Sequence, residues 1–389
     1  MFPLLKDIPE GKNWTLDELT EREVQLLIPA IIFISICMVV GAVGNTLVLY
    51  VNIFVANLRN SPHRYFITFL GFTDMAICMI VDPFLLMVLT HPYTFTNKLI
   101  CKSFRAFGYL SNNISALTLV AIALDRYRRI CRAQENQFSI RKIKCTFAII
   151  IFLSFIISIP SFILYGKITV QTGIANITGS NCFIDDTYKH TWFPNAHIIF
   201  VYGTYILTAI LMSVFYILVW RKLRQHKHPM ETVGDVTETK VFSCTKDTNA
   251  IDVVAAITLA DTQHNIDDAL YNAGVPGKCI NTAMNKNTCK KNNVSEKAIR
   301  VSKLLFVVTS FYVLSYVPFY TLTTVTLFNE HFVDDLDNTS AMFYQLFWRS
   351  YAINAMVNPF IYGIMDKRFR MACRKLVLEK LRILGHFYE

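Results

Sequence analysis

The sequence predicts an all-α membrane protein, a seven-transmembrane helix bundle followed by a short amphipathic eighth helix. Three observations lead there. The first is composition: 53% of the 389 residues are hydrophobic and 17% charged, whereas a soluble domain carries about 25% charged residues. The second is a set of seven long, mainly apolar stretches, each near the ~20 residues that a helix needs to cross about 30 Å of hydrocarbon. The third is the placement of Lys and Arg at alternate ends of those stretches. A mean hydropathy of +0.37 fits the same reading. An ordinary soluble enzyme, a disordered chain and a disulfide-stapled mini-protein are all poor fits, the last because only 10 cysteines are spread along the chain.

The first 25 residues are polar and acidic, with Asp7, Glu10, Asp17, Glu18, Glu21 and Glu23. They lack the apolar core of a signal peptide, so the first helix is expected to act as its own insertion signal. Residues 1–25 are read as an extracellular N-terminus and residues 26–365 as the bundle. The spans run from Leu26 to Val55, Tyr65 to Leu89, Lys98 to Cys131, Lys142 to Leu164, Pro194 to Arg224, Glu296 to Phe328 and Ala341 to Met365. They are too long and unbroken for barrel strands, which leaves helices to satisfy the backbone in lipid. Residues 225–295, rich in Thr, Asn, Asp and Lys, read as a largely disordered third cytoplasmic loop. Residues 366–389 read as a cytoplasmic amphipathic helix and tail.

Orientation follows from the basic residues. Arg59, Arg64, Arg128, Arg129, Arg132, Arg141, Lys142, Arg221, Lys222, Lys297, Arg300, Lys367, Arg368 and Arg370 fall at one side, while Glu330, Asp334, Asp335 and Asp337 lie opposite. The basic side is cytoplasmic by the positive-inside rule, placing the N-terminus outside and the C-terminus inside a multi-pass protein of the plasma membrane. The net charge of +10 is thereby topology, and no nucleic-acid partner is expected. The sequons at Asn13, Asn176 and Asn338 fall outside and are expected to carry glycans, whereas Asn113 and Asn293 are expected to stay bare.

Ionisable and amide side chains within a span are costly and need a reason. They are Asn45 in the first span, Asp74 in the second, Ser115 and Asp125-Arg126-Tyr127 in the third, and Asn354 with Asn358-Pro359-Phe-Ile-Tyr362 in the seventh. A single one could serve as interhelical glue. Together they read as a connected polar channel through a helical bundle.

This set, with Gly44-Asn45, Cys101, Cys182, Tyr216 and Pro318 in order along the chain, resembles the rhodopsin-like family of G-protein-coupled receptors. The resemblance covers all seven spans and the tail. It implies a receptor, not an enzyme, that binds an extracellular ligand and activates heterotrimeric G proteins. Cys101, 25 residues before Arg126, is implied to form a disulfide with Cys182 that pins the loop after the fourth span over the pocket mouth. Asp74, Ser115, Asn354 and Asn358 match the family's buried sodium pocket, with Asn45 beside it; no other cofactor is implied, and a plain hydrated network is the alternative. Arg126 is implied to pair with Asp125 at rest and to meet the G protein when released, with Tyr216 and Tyr362 swinging in to support the open state. Cys373, in the basic amphipathic segment, is a palmitoylation candidate that would bring membrane lipid into contact.

The chain departs from the family pattern at several places. The sixth span reads Tyr312-Val-Leu-Ser315-Tyr316-Val-Pro318, so the toggle position holds Tyr316 where the family has Trp. Thr208 stands in the fifth span where Pro is expected. Ala298 occupies the place of the acid that usually partners Arg126, which predicts a weakened inactive lock. Gly108, 18 residues before Arg126, lacks the carboxylate of an amine receptor, and Ala352, seven residues before Pro359, lacks the Schiff-base lysine of an opsin.

Lys167 to Val170 and Asn181 to Ile184, around a Gly- and Asn-rich turn, read as a β-hairpin. In the family such a hairpin props the pocket open for peptides, so a peptide ligand is expected; a lipid or other small molecule is the alternative. The tract Asp125 to Arg132 is similar to neuropeptide receptors near the cholecystokinin and orexin groups. Asp82, Arg105 and Arg349 mark the outer ends of the second, third and seventh spans, beside Gly108. Either Asp82 pairs with one of the arginines, or the arginines face an acidic or amidated ligand end. A small transporter would show inverted repeats and broken helix pairs, which the sequence lacks. No Ser or Thr occurs from Lys367 to Glu389, so arrestin is expected to depend on Thr237, Thr239, Ser243, Thr245 and Thr248 of the third cytoplasmic loop.

Overall fold

The structure, a computed structural model, describes residues 14–55, 62–132, 139–172, 174, 177–227, 277–329 and 331–385. The chain divides into residues 1–220 with 304–389, which hold the bundle, and residues 221–303. Helices account for nearly all of the described chain: α1 (Leu16–Tyr50), α2 (Pro62–Ala76), α3 (Asp82–Thr90), α4 (Lys98–Cys131), α5 (Ile140–Leu164), α6 (Phe193–Lys227), α7 (Gly277–Phe328), α8 (Asn338–Phe347), α9 (Ile353–Met365) and α10 (Lys367–Gly385). Between α5 and α6 lies a hairpin of β1 (Tyr165–Gln171) and β2 (Thr178–Ile184).

Among the described residues, six helical stretches are long and apolar enough to cross a membrane. Their outward faces carry Ile32, Ile36 and Val43 on α1, Phe152 and Phe155 on α5, and Ile199 and Ile206 on α6, all exposed. Such apolar surface is unsuited to water and suited to hydrocarbon. The inward faces are mixed, with Asp74, Asn45, Ser115 and Asn358 among the most buried side chains.

The structure departs from the expected elements in four places. α1 starts at Leu16, within the segment read as an extracellular tail, because Thr15 and Glu18 form a reciprocal capping box (Glu18 N to Thr15 Oγ1 3.3 Å, Thr15 N to Glu18 Oε2 2.9 Å). Its first turns pack Leu19 against Tyr93 and Val170. The second span is interrupted by a π-helical stretch at Ile77–Val81, between α2 and α3. The expected seventh span is two helices, α8 and α9, joined by a 3-10 turn at Ser350–Ala352, so neither half is long enough to cross alone. α7 begins at Gly277, inside the segment read as a linker, and Glu296 on it pairs with Arg300 at 3.0 Å. The serines and threonines of that linker proposed for arrestin lie outside the described residues, as do Asn13 and Asn176.

The hairpin is antiparallel with Lys167 opposite Cys182. A third extended piece adds to it: Ser180 N donates to Tyr93 O at 2.7 Å, and Phe95 N donates to Ser180 O at 3.0 Å. Cys101 and Cys182 are joined as a disulfide, with Cα atoms 5.4 Å apart. The loop is thus tied to α4 covalently and to the Pro92–Phe95 turn by hydrogen bonds, including Asn181 Nδ2 to Pro92 O at 2.8 Å.

Candidate functional site

Below the hairpin lies a cavity of about 270 Å³ between α3, α4, α5, α6, α7 and α8. Tyrosines dominate it because Tyr312, Tyr316 and Tyr320 recur every fourth residue on one face of α7. Tyr205 of α6 packs on that stripe, its ring 4.2 Å from Tyr320 and 5.9 Å from Tyr316, and Tyr351 stacks 6.0 Å from Tyr316. On the other side Tyr109 and Tyr165 share a hydroxyl hydrogen bond of 2.8 Å, and the buried His197 ring bonds Ser161 at 2.8 Å. None of Tyr109, Tyr165, Tyr205 or His197 was singled out from sequence. The period-four tyrosines were visible there, but the partners on α4, β1 and α6 were not.

Pro318 lacks an N–H and its ring displaces the preceding turn's ladder. Side chains take up carbonyls in that region: Tyr205 Oη donates to Val313 O at 2.8 Å, and Ser350 Oγ donates to Ser315 O at 2.7 Å. Both tie α7 to a neighbour next to the toggle residues, and the second holds the 3-10 turn of the broken seventh span. Tyr312 and Tyr316 have ring centroids 5.0 Å apart.

Arg105, Gly108 and Arg349 line the cavity and Asp82 does not. Asp82 makes no ion pair with either arginine; it is buried with Oδ2 unpartnered. The reading in which Asp82 pairs internally with an arginine is therefore not realised. Arg105 Nη2 donates to Cys182 O at 3.1 Å, and Arg349 Nη1 donates to Gln345 O and Oε1, each at 2.6 Å. The salt bridge of this region lies outside the cavity, between Lys98 and Asp185 at 2.8 Å. Burial alone would raise the Asp185 carboxyl, but Lys98 and the hydroxyl and amide of Thr187 outweigh it and hold the group below its ordinary value. Burial, and then the Glu23 carboxylate that accepts its hydroxyl at 3.1 Å, push the Tyr93 phenol upward.

Deeper in the bundle Asn358 Nδ2 donates to Asp74 Oδ2 at 2.7 Å, and Asn45 Nδ2 donates to Ala355 O at 2.8 Å. Asp74 Oδ1, Ser115 Oγ, Asn45 Oδ1 and Asn358 Oδ1 are buried without partners, and Asn354 is buried nearby in sequence. These are oxygens, the donors that a hard cation or ordered water takes. At the basic end Asp125 pairs with both Arg126 and Arg129, the latter at 2.9 Å. Tyr127 packs on Phe215 at 5.7 Å, and Tyr216 and Tyr362 are buried. Cys373 is half-buried on α10, its thiol pushed up by burial, and Asn338 is exposed at the start of α8.

The sequence model of the family described as "7 transmembrane receptor (rhodopsin family)" matches residues 44–362. The chain belongs to that family. It is a multi-pass membrane receptor of a non-enzymatic family that signals through G proteins. Similar curated proteins include a cholecystokinin receptor of Xenopus laevis, 24% identical over 88% of this chain and 75% of the relative. The cholecystokinin receptor type A of Homo sapiens is 26% identical over 93% of this chain and 80% of the relative. A Gq-coupled rhodopsin of Mizuhopecten yessoensis is 24% identical over 88% of this chain and 58% of the relative.

Proposed function

We propose that this receptor binds an extracellular peptide in the tyrosine-lined cavity and relays its binding to a heterotrimeric G protein at the Asp125-Arg126-Tyr127 end. The observation that carries the reading is the hairpin, braced by the Cys101–Cys182 disulfide, with Asn181 to Ile184 lining the cavity. In the family such a hairpin props the pocket open for peptides. Among the relatives, the cholecystokinin receptors favour the same class. The rhodopsin relative does not extend to retinal here, since Ala352 offers no amine for a Schiff base.

In this reading the N-terminus is extracellular, and the outer segments are glycosylated at Asn13, Asn176 and Asn338. Asp74, Ser115, Asn354 and Asn358 hold sodium or water in the resting state, with Asn45 supporting them. Tyr312, Tyr316 and Pro318 form the toggle, and Arg126 leaves Asp125 on activation while Tyr216, Asn358, Pro359 and Tyr362 repack. The cytoplasmic segment 225–295 recruits arrestin, and Cys373 anchors α10 to lipid. A neuropeptide-library screen with calcium and cyclic-AMP readouts tests the ligand class. The expected result is an agonist peptide that drives nucleotide exchange on a G protein. A receptor activated by lipids or other small molecules, and by no peptide, would overturn it.

A further inference from the structure

Among the described residues, the walls of the cavity hold two guanidinium groups, Arg105 and Arg349, and not one Asp or Glu. The hydrogen-bond acceptors of both are neutral: the Cys182 carbonyl for Arg105, and the Gln345 carbonyl and amide oxygen for Arg349. The Nε atoms of both are buried with no partner. Arg105 also leans over the Tyr165 ring, 5.6 Å from its centroid, a contact that orients the cation without neutralising it. Asp82, an acid at the outer end of the neighbouring span, is not in the cavity wall.

Two like charges in an aromatic, membrane-embedded cavity are costly without a counter-charge. Both are nevertheless held in place. Arg105 is tied to the carbonyl of a disulfide-bonded cysteine, and Arg349 sits at the head of the 3-10 turn whose Ser350 bonds the backbone of α7. A guanidinium fork with open N–H groups matches a planar carboxylate better than any other common group.

We infer that the cavity selects ligands by an anionic group, a carboxylate, received by Arg105 and Arg349. The inference rests on the reading of this cavity as the ligand site and deepens it by naming the chemistry. A carboxylate could come from a peptide's free C-terminus or from an acidic side chain, and the two are separable by experiment.

The test uses purified full-length receptor in detergent and three probes: N-acetyl-phenylalanine, N-acetyl-phenylalaninamide and N-acetyl-glutamyl-phenylalaninamide. Affinity is read from ligand-induced thermal stabilisation. At least one carboxylate probe is expected to bind about ten-fold or more tightly than the neutral amide, the size of a charge-assisted hydrogen bond. The terminal or side-chain carboxylate that wins identifies the source. Arg349→Gln and Arg105→Gln are each expected to bring carboxylate and amide to parity, and to leave the ligand-free melting temperature unchanged or higher. Should either variant fail to fold, the wild-type comparison decides alone. Equal affinities, a preference for the neutral amide, or no binding of either carboxylate probe at its solubility limit would overturn the inference. Neutral peptide agonists from the library would leave the peptide reading standing while this one falls, and carboxylate binding without any peptide agonist would do the reverse.

Discussion

A methyl group added at Gly44 would sit 2.8 Å from both Cβ and Cγ of Pro359. A carbon–carbon contact settles near 3.5–4.0 Å, so α1 and α9 would have to move apart by most of an ångström, and a proline ring within a helix cannot rotate away. The next residue, Asn45, donates its Nδ2 to Ala355 O, one turn before Pro359, across the same interface at 2.8 Å, and separation would stretch that bond. Overpacking of this kind costs about 1–3 kcal/mol, and the strained hydrogen bond about 0.5–1.5 more. Replacing glycine in a helix returns roughly 0.5–1 kcal/mol. The net expectation for Gly44→Ala is a loss on the order of 1–3 kcal/mol. Gly203→Ala provides the control: nothing lies within 4 Å of its added carbon, and it sits within α6, so the propensity gain should stand alone. Thermal unfolding of the two purified receptors should give shifts of opposite sign, with Gly44→Ala also lowering surface expression. A Gly44→Ala melting temperature at or above wild type would refute the packing argument.

Wild-type receptor should show basal nucleotide exchange on its G protein, because Ala298 supplies no acid for Arg126; a basal level equal to that of untransfected cells would exclude a weakened lock. Tyr205→Phe removes the hydroxyl bonded to Val313 O and should raise that basal exchange further, since a bond of about 1 kcal/mol no longer holds α7 to α6. An unchanged basal rate in the variant would show that the bond survives activation. Asp185 is held below its ordinary value of 3.8, so the stability it contributes is complete above that value and falls away as pH drops through the lower folded one. Lys98→Met should weaken this loss in melting curves taken across the acid range, and an identical pH profile would dismiss the Lys98–Asp185 pair as a contributor. Asn338→Gln should remove one glycosidase-sensitive band shift, whereas a shift that maps to Asn293 would reverse the assigned topology.

Much of the site was legible from sequence because its signal is a local rarity. Asp74, Arg126 and Asn358 stand out as polar groups in apolar runs, and the fold does place Asn358 against Asp74 and Arg126 against Asp125. The hairpin was legible because its two strands flank a turn-forming tract, although β1 and β2 each extend beyond the pieces read from sequence. The fate of Asp82 was not legible, since pairing depends on where helix rotation points a side chain. The division of the seventh span was also hidden: nothing in Arg349-Ser350-Tyr351 forbids a helix. Its 3-10 turn is accompanied by the bond from Ser350 to the Ser315 carbonyl of α7, three residues before Pro318.

The sequence by itself determined the number of apolar stretches, their helical state and the side on which the basic residues collect. These follow from one-dimensional constraints, the thickness of hydrocarbon and the need to satisfy a backbone where water is absent. Tertiary structure alone decided what the helices enclose. Arg105 and Arg349 come from spans far apart in the chain, and only packing shows that they share a cavity in which none of the described residues is an acid. The same holds for Tyr205 on Val313 and for Gly44 against Pro359. A side chain's partner across a bundle is set by helix rotation and depth, which no local pattern encodes.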